Sequence, residues 1–89
     1  MAWTIEISSQ PERSLDKLQR DHAERILRFL FERVQNLDDP RSIGEALRGP
    51  RLGAFWKYRV GDYRVIAEIH DKVLKILVVQ VGNRRDVYW

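Results

Sequence analysis

The sequence predicts an α+β fold, a small β-α-α-β-β-β domain with two N-terminal helices packed on one face of an antiparallel sheet. Three observations predict it. Apolar residues recur at helical spacing between residues 9 and 36, and from Phe55 onward they fall into strand-rich runs with short breaks. The length of 89 residues, 44% of them hydrophobic, supplies one modest core, so residues 1–89 are a single domain.

Ala2 to Ser8 reads as a strand, because Trp3, Ile5 and Ile7 alternate with Thr4 and Glu6. Ser9 followed by Pro11 and Glu12 has the pattern of a capping box, opening a short helix with Leu15 and Leu18 on one face. Asp21 then caps a stronger helix through Asn36, whose apolar face carries Ala23, Ile26, Leu27, Leu30, Phe31 and Val34. Glu24, Arg25, Arg28, Glu32 and Arg33 lie opposite and read as a solvated face. Gly44, Gly49, Pro50 and Gly53 make Arg41 to Gly53 a loop with at most one helical turn, around Glu45 to Arg48. Phe55–Val60, Tyr63–His70 and Val73–Gly82 follow as three strands of a meander, broken at Gly61-Asp62 and Asp71-Lys72. The place of the first strand in the sheet is not fixed by pattern.

Composition removes several function classes. The absence of cysteine excludes disulfides, thiolate nucleophiles and cysteine-based zinc sites. The longest apolar run, Ile76 to Val79, is far too short to span a bilayer, and the N-terminus lacks a secretory pattern, so a cytoplasmic protein without membrane contact is expected. No paired histidine or histidine–carboxylate spacing suggests a metal, and no cofactor is expected. The net charge of +3 is unevenly spread: residues up to Leu47 carry seven Lys and Arg against nine Asp and Glu, whereas those from Arg48 carry nine against four. That asymmetry fits either a polyanionic partner such as nucleic acid or basic residues serving solubility.

The Gly61-Asp62 turn bears on this choice without closing it, since arginines brought together there either hold an anion or splay into water and pair separately with carboxylates. A two-residue hairpin there sets Arg59 opposite Arg64 and Lys57 opposite Ile66, all on the sheet face away from Trp56, Tyr58, Val60, Tyr63, Val65, Ala67 and Ile69. Directly opposed arginines repel by up to roughly 1 kcal/mol, and a phosphate that both forks grip explains the pairing better than stability does. Gly82 allows the chain to bend so that Arg84 and Arg85 approach Arg64. A two-residue turn at Asp71-Lys72 pairs Arg64 with Val79 and Glu68 with Lys75, the latter as an ion pair. Tyr88 is either a packing residue or a phenol whose pKa neighbouring cations lower. His70 belongs to the far end of the sheet, and His22 to an exposed first helical turn.

The segments Leu47-Arg48-Gly49, Phe55-Trp56-Lys57-Tyr58-Arg59-Val60-Gly61-Asp62-Tyr63-Arg64-Val65-Ile66 and Val81-Gly82-Asn83-Arg84-Arg85-Asp86-Val87-Tyr88 resemble the RelE/ParE toxin superfamily, and more closely its RelE branch. That branch contains ribosome-dependent endoribonucleases that cut messenger RNA in the ribosomal A site. The resemblance implies a toxin neutralised by a cognate antitoxin, with the ribosome and mRNA as its other partners. It matches Lys57 and Arg59 to the paired cations of the family's strand, Arg64 to the arginine after the hairpin tyrosine, Arg84 to the arginine after the last strand, and Tyr88 to the C-terminal tyrosine. The reaction it implies is metal-free attack of a ribose 2′-hydroxyl on the adjacent phosphate. Tyr88 or Lys57 would be the base, Arg59 and Arg64 would hold the phosphate, and Arg84 would assist the leaving group. Arg48, Arg51 and Arg85 are the expected further RNA-binding residues. Asn83 stands where many relatives carry His or Lys, and Arg59 where others carry Lys. ParE-like relatives share the fold, target DNA gyrase and generally lack the full cationic set, which makes gyrase inhibition the alternative.

Overall fold

A computed structural model describes residues 3–47 and 55–85. Five strands form one sheet: β1 (Thr4–Ile7), β2 (Glu45–Ala46), β3 (Phe55–Val60), β4 (Tyr63–His70) and β5 (Lys75–Asn83), in the spatial order β1-β5-β4-β3-β2. Helices α1 (Ser9–Lys17) and α2 (Arg20–Arg28) precede β2. The expected α+β class and hairpin meander are present, with two corrections. The sheet is mixed, since β1 runs parallel to β5 while the other pairings are antiparallel. A fifth strand, β2, lies where a loop with a helical turn was expected; the turn sits earlier, as a 3₁₀ segment over Pro40–Ile43 capped by the Asp39 side chain.

The core lies between the helices and one sheet face, and is built from Trp3, Leu15, Ile26, Leu30, Val34, Tyr58, Val60, Val65, Ala67, Ile76, Val78 and Val81. At its centre the Tyr58 ring is fully buried, its hydroxyl donating to the Pro40 carbonyl at 2.6 Å. Burial pushes the phenol up to about 12. The first strand is anchored to the helical layer at Trp3, whose N–H donates to the Gln35 carbonyl while Gln35 Nε2 donates to the Trp3 carbonyl.

The helices depart from expectation at both ends. No side-chain capping box forms at α1: the N-cap is Ser8, and its hydroxyl donates instead to the Val78 carbonyl of β5 at 2.8 Å. Asp21 lies within the first turn of α2, behind an N-cap at Gln19. Beyond Arg28 the helix widens into π-helical winding over Phe29–Val34, closed by a bond from the Gln35 N–H to the Leu30 carbonyl at 2.9 Å. The wider turn puts Ile26, Leu30 and Val34 in line on the core. Phe31, expected on that face, is rotated outward and 41% exposed, while Phe29 takes up an edge contact with Tyr58.

Register is as expected in the first hairpin and different in the second. Arg59 opposes Arg64 and Lys57 opposes Ile66. The β4–β5 connection is longer than two residues, a 3₁₀ turn over Asp71–Val73 followed by Leu74 in the left-handed region, so Arg64 pairs with Gly82 and Glu68 with Leu77. The predicted Glu68–Lys75 ion pair is therefore absent: Lys75 meets Glu6, and Glu68 lies beside His70. A bulge leaves Val79 as an extra residue in β5, with Ile66 paired to Gln80 and Ala67 to Val78. The bulge shifts the inward phase from Ile76 and Val78 to Val81, which keeps the Gln80 amide out of the core.

Candidate functional site

The second sheet face carries Lys57 and Arg59 of β3 and Arg64 of β4, and Arg84 and Arg85 follow the end of β5. Gly61 makes the turn possible, at φ 61° in the left-handed region, and the hairpin that follows fixes Arg59 against Arg64. The face is not uniformly charged, because Ile66, directly opposite Lys57, is fully buried.

The cations divide into two groups. At the β2 edge, Lys57 Nζ lies 3.6 Å from Glu45 Oε2 and Arg59 Nη2 lies 3.4 Å from Glu45 Oε1, so one carboxylate spans both. These two residues share a cleft of about 160 Å³ with Glu45, Arg33, Phe29 and Ile43. At the hairpin end, the Arg64 guanidinium folds along its own backbone and donates to the carbonyls of Gly61 and Tyr63 at 3.2 and 3.0 Å. The Arg84 N–H donates to the Asp62 carbonyl at 2.8 Å, which brings the end of β5 against the same turn. The Arg85 N–H is held by the Asn83 side chain, and Asp62, Asn83, Arg84 and Arg85 line one shallow polar depression. Among the described residues, no carboxylate pairs with Arg64, Arg84 or Arg85. Tyr88, Arg48 and Arg51 lie outside the described residues.

Two residues at this site escaped the sequence reading. Glu45 fell in the stretch read as a loop; only the pairing of Glu45 with Lys57 brings its carboxylate to the cations. Gly44 permits that pairing, since a Cβ there would meet Tyr58 Cε1 at 3.1 Å and Trp56 Cε3 at 3.4 Å. Arg33 was read as solvated, and it is exposed, but it lines the cleft with Lys57 and Arg59 while its guanidinium lies 5.9 Å from the Phe29 ring centroid. The rest of that helix face borders a larger groove of about 650 Å³ with Arg59, Val60 and Gly61.

The remaining ionisable residues stand apart. His22 lies against Tyr63 with ring centroids 5.3 Å apart and the planes tilted by 51°. His70 Nε2 lies 3.2 Å from Glu68 Oε2 without hydrogen-bond alignment. Among the described residues no group of three or more His, Asp or Glu is placed to hold a metal ion, and no helix is long and apolar enough to cross a membrane.

Comparisons with known proteins place this geometry in a family. Residues 5–88 match the family described as the ParE toxin of the type II toxin-antitoxin system, parDE. No curated protein sequence matches the chain. Among solved structures, the chain is similar to the RelBE2 toxin-antitoxin complex of Mycobacterium tuberculosis, with a TM-score of 0.85 and 24% identity over 97% of this chain and 95% of that one. The archaeal RelE-RelB complex of Pyrococcus horikoshii OT3 gives a TM-score of 0.76 and 26% identity over 98% and 100%. The isolated E. coli RelE toxin gives 0.72 and 19% over 92% and 84%. The β-hairpin that opposes Arg59 to Arg64 thus sits in a toxin fold, and the chain belongs to the ParE toxin family of type II toxin-antitoxin systems, within the RelE/ParE superfamily.

Proposed function

We propose that this toxin is a ribosome-dependent endoribonuclease of the RelE type, which cleaves mRNA by attack of a 2′-hydroxyl on the adjacent phosphate and is neutralised by a cognate antitoxin. One observation carries the reading: two arginines sit directly opposed across β3 and β4, and Arg64, together with Arg84 and Arg85, has no carboxylate partner among the described residues. Like charges held this way cost stability; Glu45 offsets part of that cost at Arg59, and an anionic guest at the pair would offset more.

The chemistry asks for three things. A base removes the 2′-hydroxyl proton as O2′ bonds to phosphorus, cations stabilise the charge that builds on the phosphorane, and an acid protonates the departing 5′-oxygen. Arg59 and Arg64 suit the phosphate and Arg84 the leaving-group side. Lys57, which faces Glu45, suits charge stabilisation. Tyr88 is the proposed base. Arg85, with Arg48 and Arg51, extends the contact to neighbouring phosphates. A cognate antitoxin is the natural partner, since the M. tuberculosis and P. horikoshii relatives were solved in complex with one.

Incubating the purified toxin with mRNA-programmed ribosomes and mapping the 3′ ends tests the proposal, with new ends inside the A-site codon as the expected result. The family description favours a second reading, inhibition of DNA gyrase without chemistry. Intact mRNA together with blocked supercoiling would select that reading and reject the first.

A further inference from the structure

We propose that Glu45 is a built-in counter-anion, a carboxylate that occupies the place of an RNA phosphate between Lys57 and Arg59 and thereby weakens the toxin's hold on single-stranded RNA. The inference rests on the proposed role of those two cations as phosphate ligands.

The geometry has three parts. Each oxygen of the Glu45 carboxylate faces a different cation, Oε2 towards Lys57 Nζ at 3.6 Å and Oε1 towards Arg59 Nη2 at 3.4 Å. Two non-bridging phosphate oxygens would span the same gap. Both contacts are longer than the 2.7–2.9 Å of a charge-assisted hydrogen bond, and neither has hydrogen-bond geometry, so the carboxylate rests near the cations without being locked to them. The side chain is 56% exposed and stands on a strand of two residues, while its backbone position is fixed by pairing with Lys57. A guest anion displaces such a group by rotating one side chain, with no change in the sheet.

The cleft also contains Arg33, so three cations surround one acid. With Glu45 in place a guest phosphate meets a partly neutralised site; with it swung away, or replaced by an uncharged amide of the same shape, the guest meets the full positive charge. Electrostatic affinity for a polyanion is paid through counterion release, and an internal carboxylate acts as a counterion that is already bound.

The experiment compares Glu45→Gln with Glu6→Gln. Both remove one negative charge; Glu6 lies on β1 at the opposite edge of the sheet, where it pairs with Lys75. The probe is a short fluorescent 2′-O-methyl RNA strand, which lacks the hydroxyl needed for cleavage, titrated from about 50 to about 300 mM KCl. Glu45→Gln is expected to tighten binding about three- to tenfold at the low-salt end and to steepen the plot of log Kd against log salt by about 0.7, the increment for one additional phosphate contact on a single strand. Glu6→Gln is expected to change affinity less than about twofold, and Lys57→Ala added to Glu45→Gln to abolish the gain. Equal gains in both single variants would reduce the effect to net charge and overturn the proposal. Unchanged or weaker binding by Glu45→Gln would overturn it too, and if ribosomal cleavage were also lost, Glu45 would belong to proton transfer. Because the binding assay needs no cleavage, the ribonuclease reading can fail on programmed ribosomes while this result stands, and the reverse.

Discussion

Arg41 and Arg59 both meet a carboxylate, and the two contacts differ in geometry. Arg41 forms a fork with Asp71, with Nη1 to Oδ1 at 3.0 Å and Nη2 to Oδ2 at 2.6 Å, and its guanidinium lies 5.9 Å from the Trp56 ring centroid. Asp39 meets the same group at 3.4 Å. The hydrogen bonds from Arg41 hold the Asp71 carboxyl below its ordinary value, and the fork ties the 3₁₀ turn before β2 to the β4–β5 connection. Arg59 instead shares one carboxylate with Lys57 at 3.4 and 3.6 Å, with no aligned hydrogen bond. A cation whose donors are committed to its own acid is structural. Arg59, more than half exposed and beside a second cation, keeps donors open to solvent, which is what the proposed phosphate contact requires.

Arg41 and the proposed site cations are expected to differ most in activity. Arg64→Ala and Lys57→Ala are each expected to lower ribosomal cleavage a hundredfold or more, the effect of deleting one group that stabilises transition-state charge, with melting temperature within a few degrees of the parent. Arg41→Ala is expected to leave cleavage at the parental rate. Parental cleavage in both Arg64→Ala and Lys57→Ala, measured as rate on programmed ribosomes, would remove these residues from the site.

Much of this was legible in the residues. A two-residue Gly-Asp turn admits one register, so the opposition of Arg59 and Arg64 followed from counting. The alternation of Trp3, Ile5 and Ile7, and of the inward residues of β3 and β4, placed the core. What stayed hidden depends on tertiary contacts. The π-helical turn that rotates Phe31 outward leaves the helical spacing in the sequence unchanged. The bulge at Val79 shows only as a change of phase between Val78 and Val81. Ser9, read as the cap, is the first helical residue, and Ser8 in the cap position turns its hydroxyl to a β5 carbonyl; Glu45 reaches the cations through a strand too short to carry a period. The parallel placement of β1 is a property of the sheet order, which local pattern does not encode.

Tyr58 measures the frame beneath the site. Its pKa rises from 10.0 to about 12 because burial disfavours the phenolate, so the folded state keeps the proton that the unfolded chain gives up. The stabilisation is complete below pH 10 and is lost as pH rises towards 12, a loss of up to about 2.7 kcal/mol at 1.36 kcal/mol per unit. Tyr58→Phe removes this pH dependence and leaves the Pro40 carbonyl without its 2.6 Å partner, at a cost of about 1 to 2 kcal/mol near neutral pH. Urea denaturation at several pH values separates the two effects. A parent curve that is flat between pH 10 and 12 would contradict the burial assigned to this ring.

Gly61→Ala tests the turn that sets the register. The residue has φ 61°, where a Cβ costs roughly 1 to 2 kcal/mol, and that Cβ would approach Arg25 Nη1 to 2.9 Å. The guanidinium is the far end of an exposed side chain and moves aside, so the expected loss is close to 1 kcal/mol, read from the urea midpoint. Gly61→Asn, which tolerates the left-handed region, is expected to lose less. Equal losses in the two variants would place the cost in the Arg25 contact and not in the backbone.

The smallest effect tests the structural half of the comparison. Arg41→Lys keeps the charge and deletes the fork, so the variant is expected to fall slightly below the parent in urea midpoint at neutral pH, with cleavage unchanged. Because Asp71 is depressed in the folded state, its contribution is present above the ordinary carboxylate value and disappears as pH falls through the folded value. The two midpoints should therefore converge in acid well below that ordinary value. A gap that persists there would mean that Arg41 acts by packing on Trp56, and the contrast with Arg59 would then rest on aromatic contact and not on the way each arginine is bound to its acid.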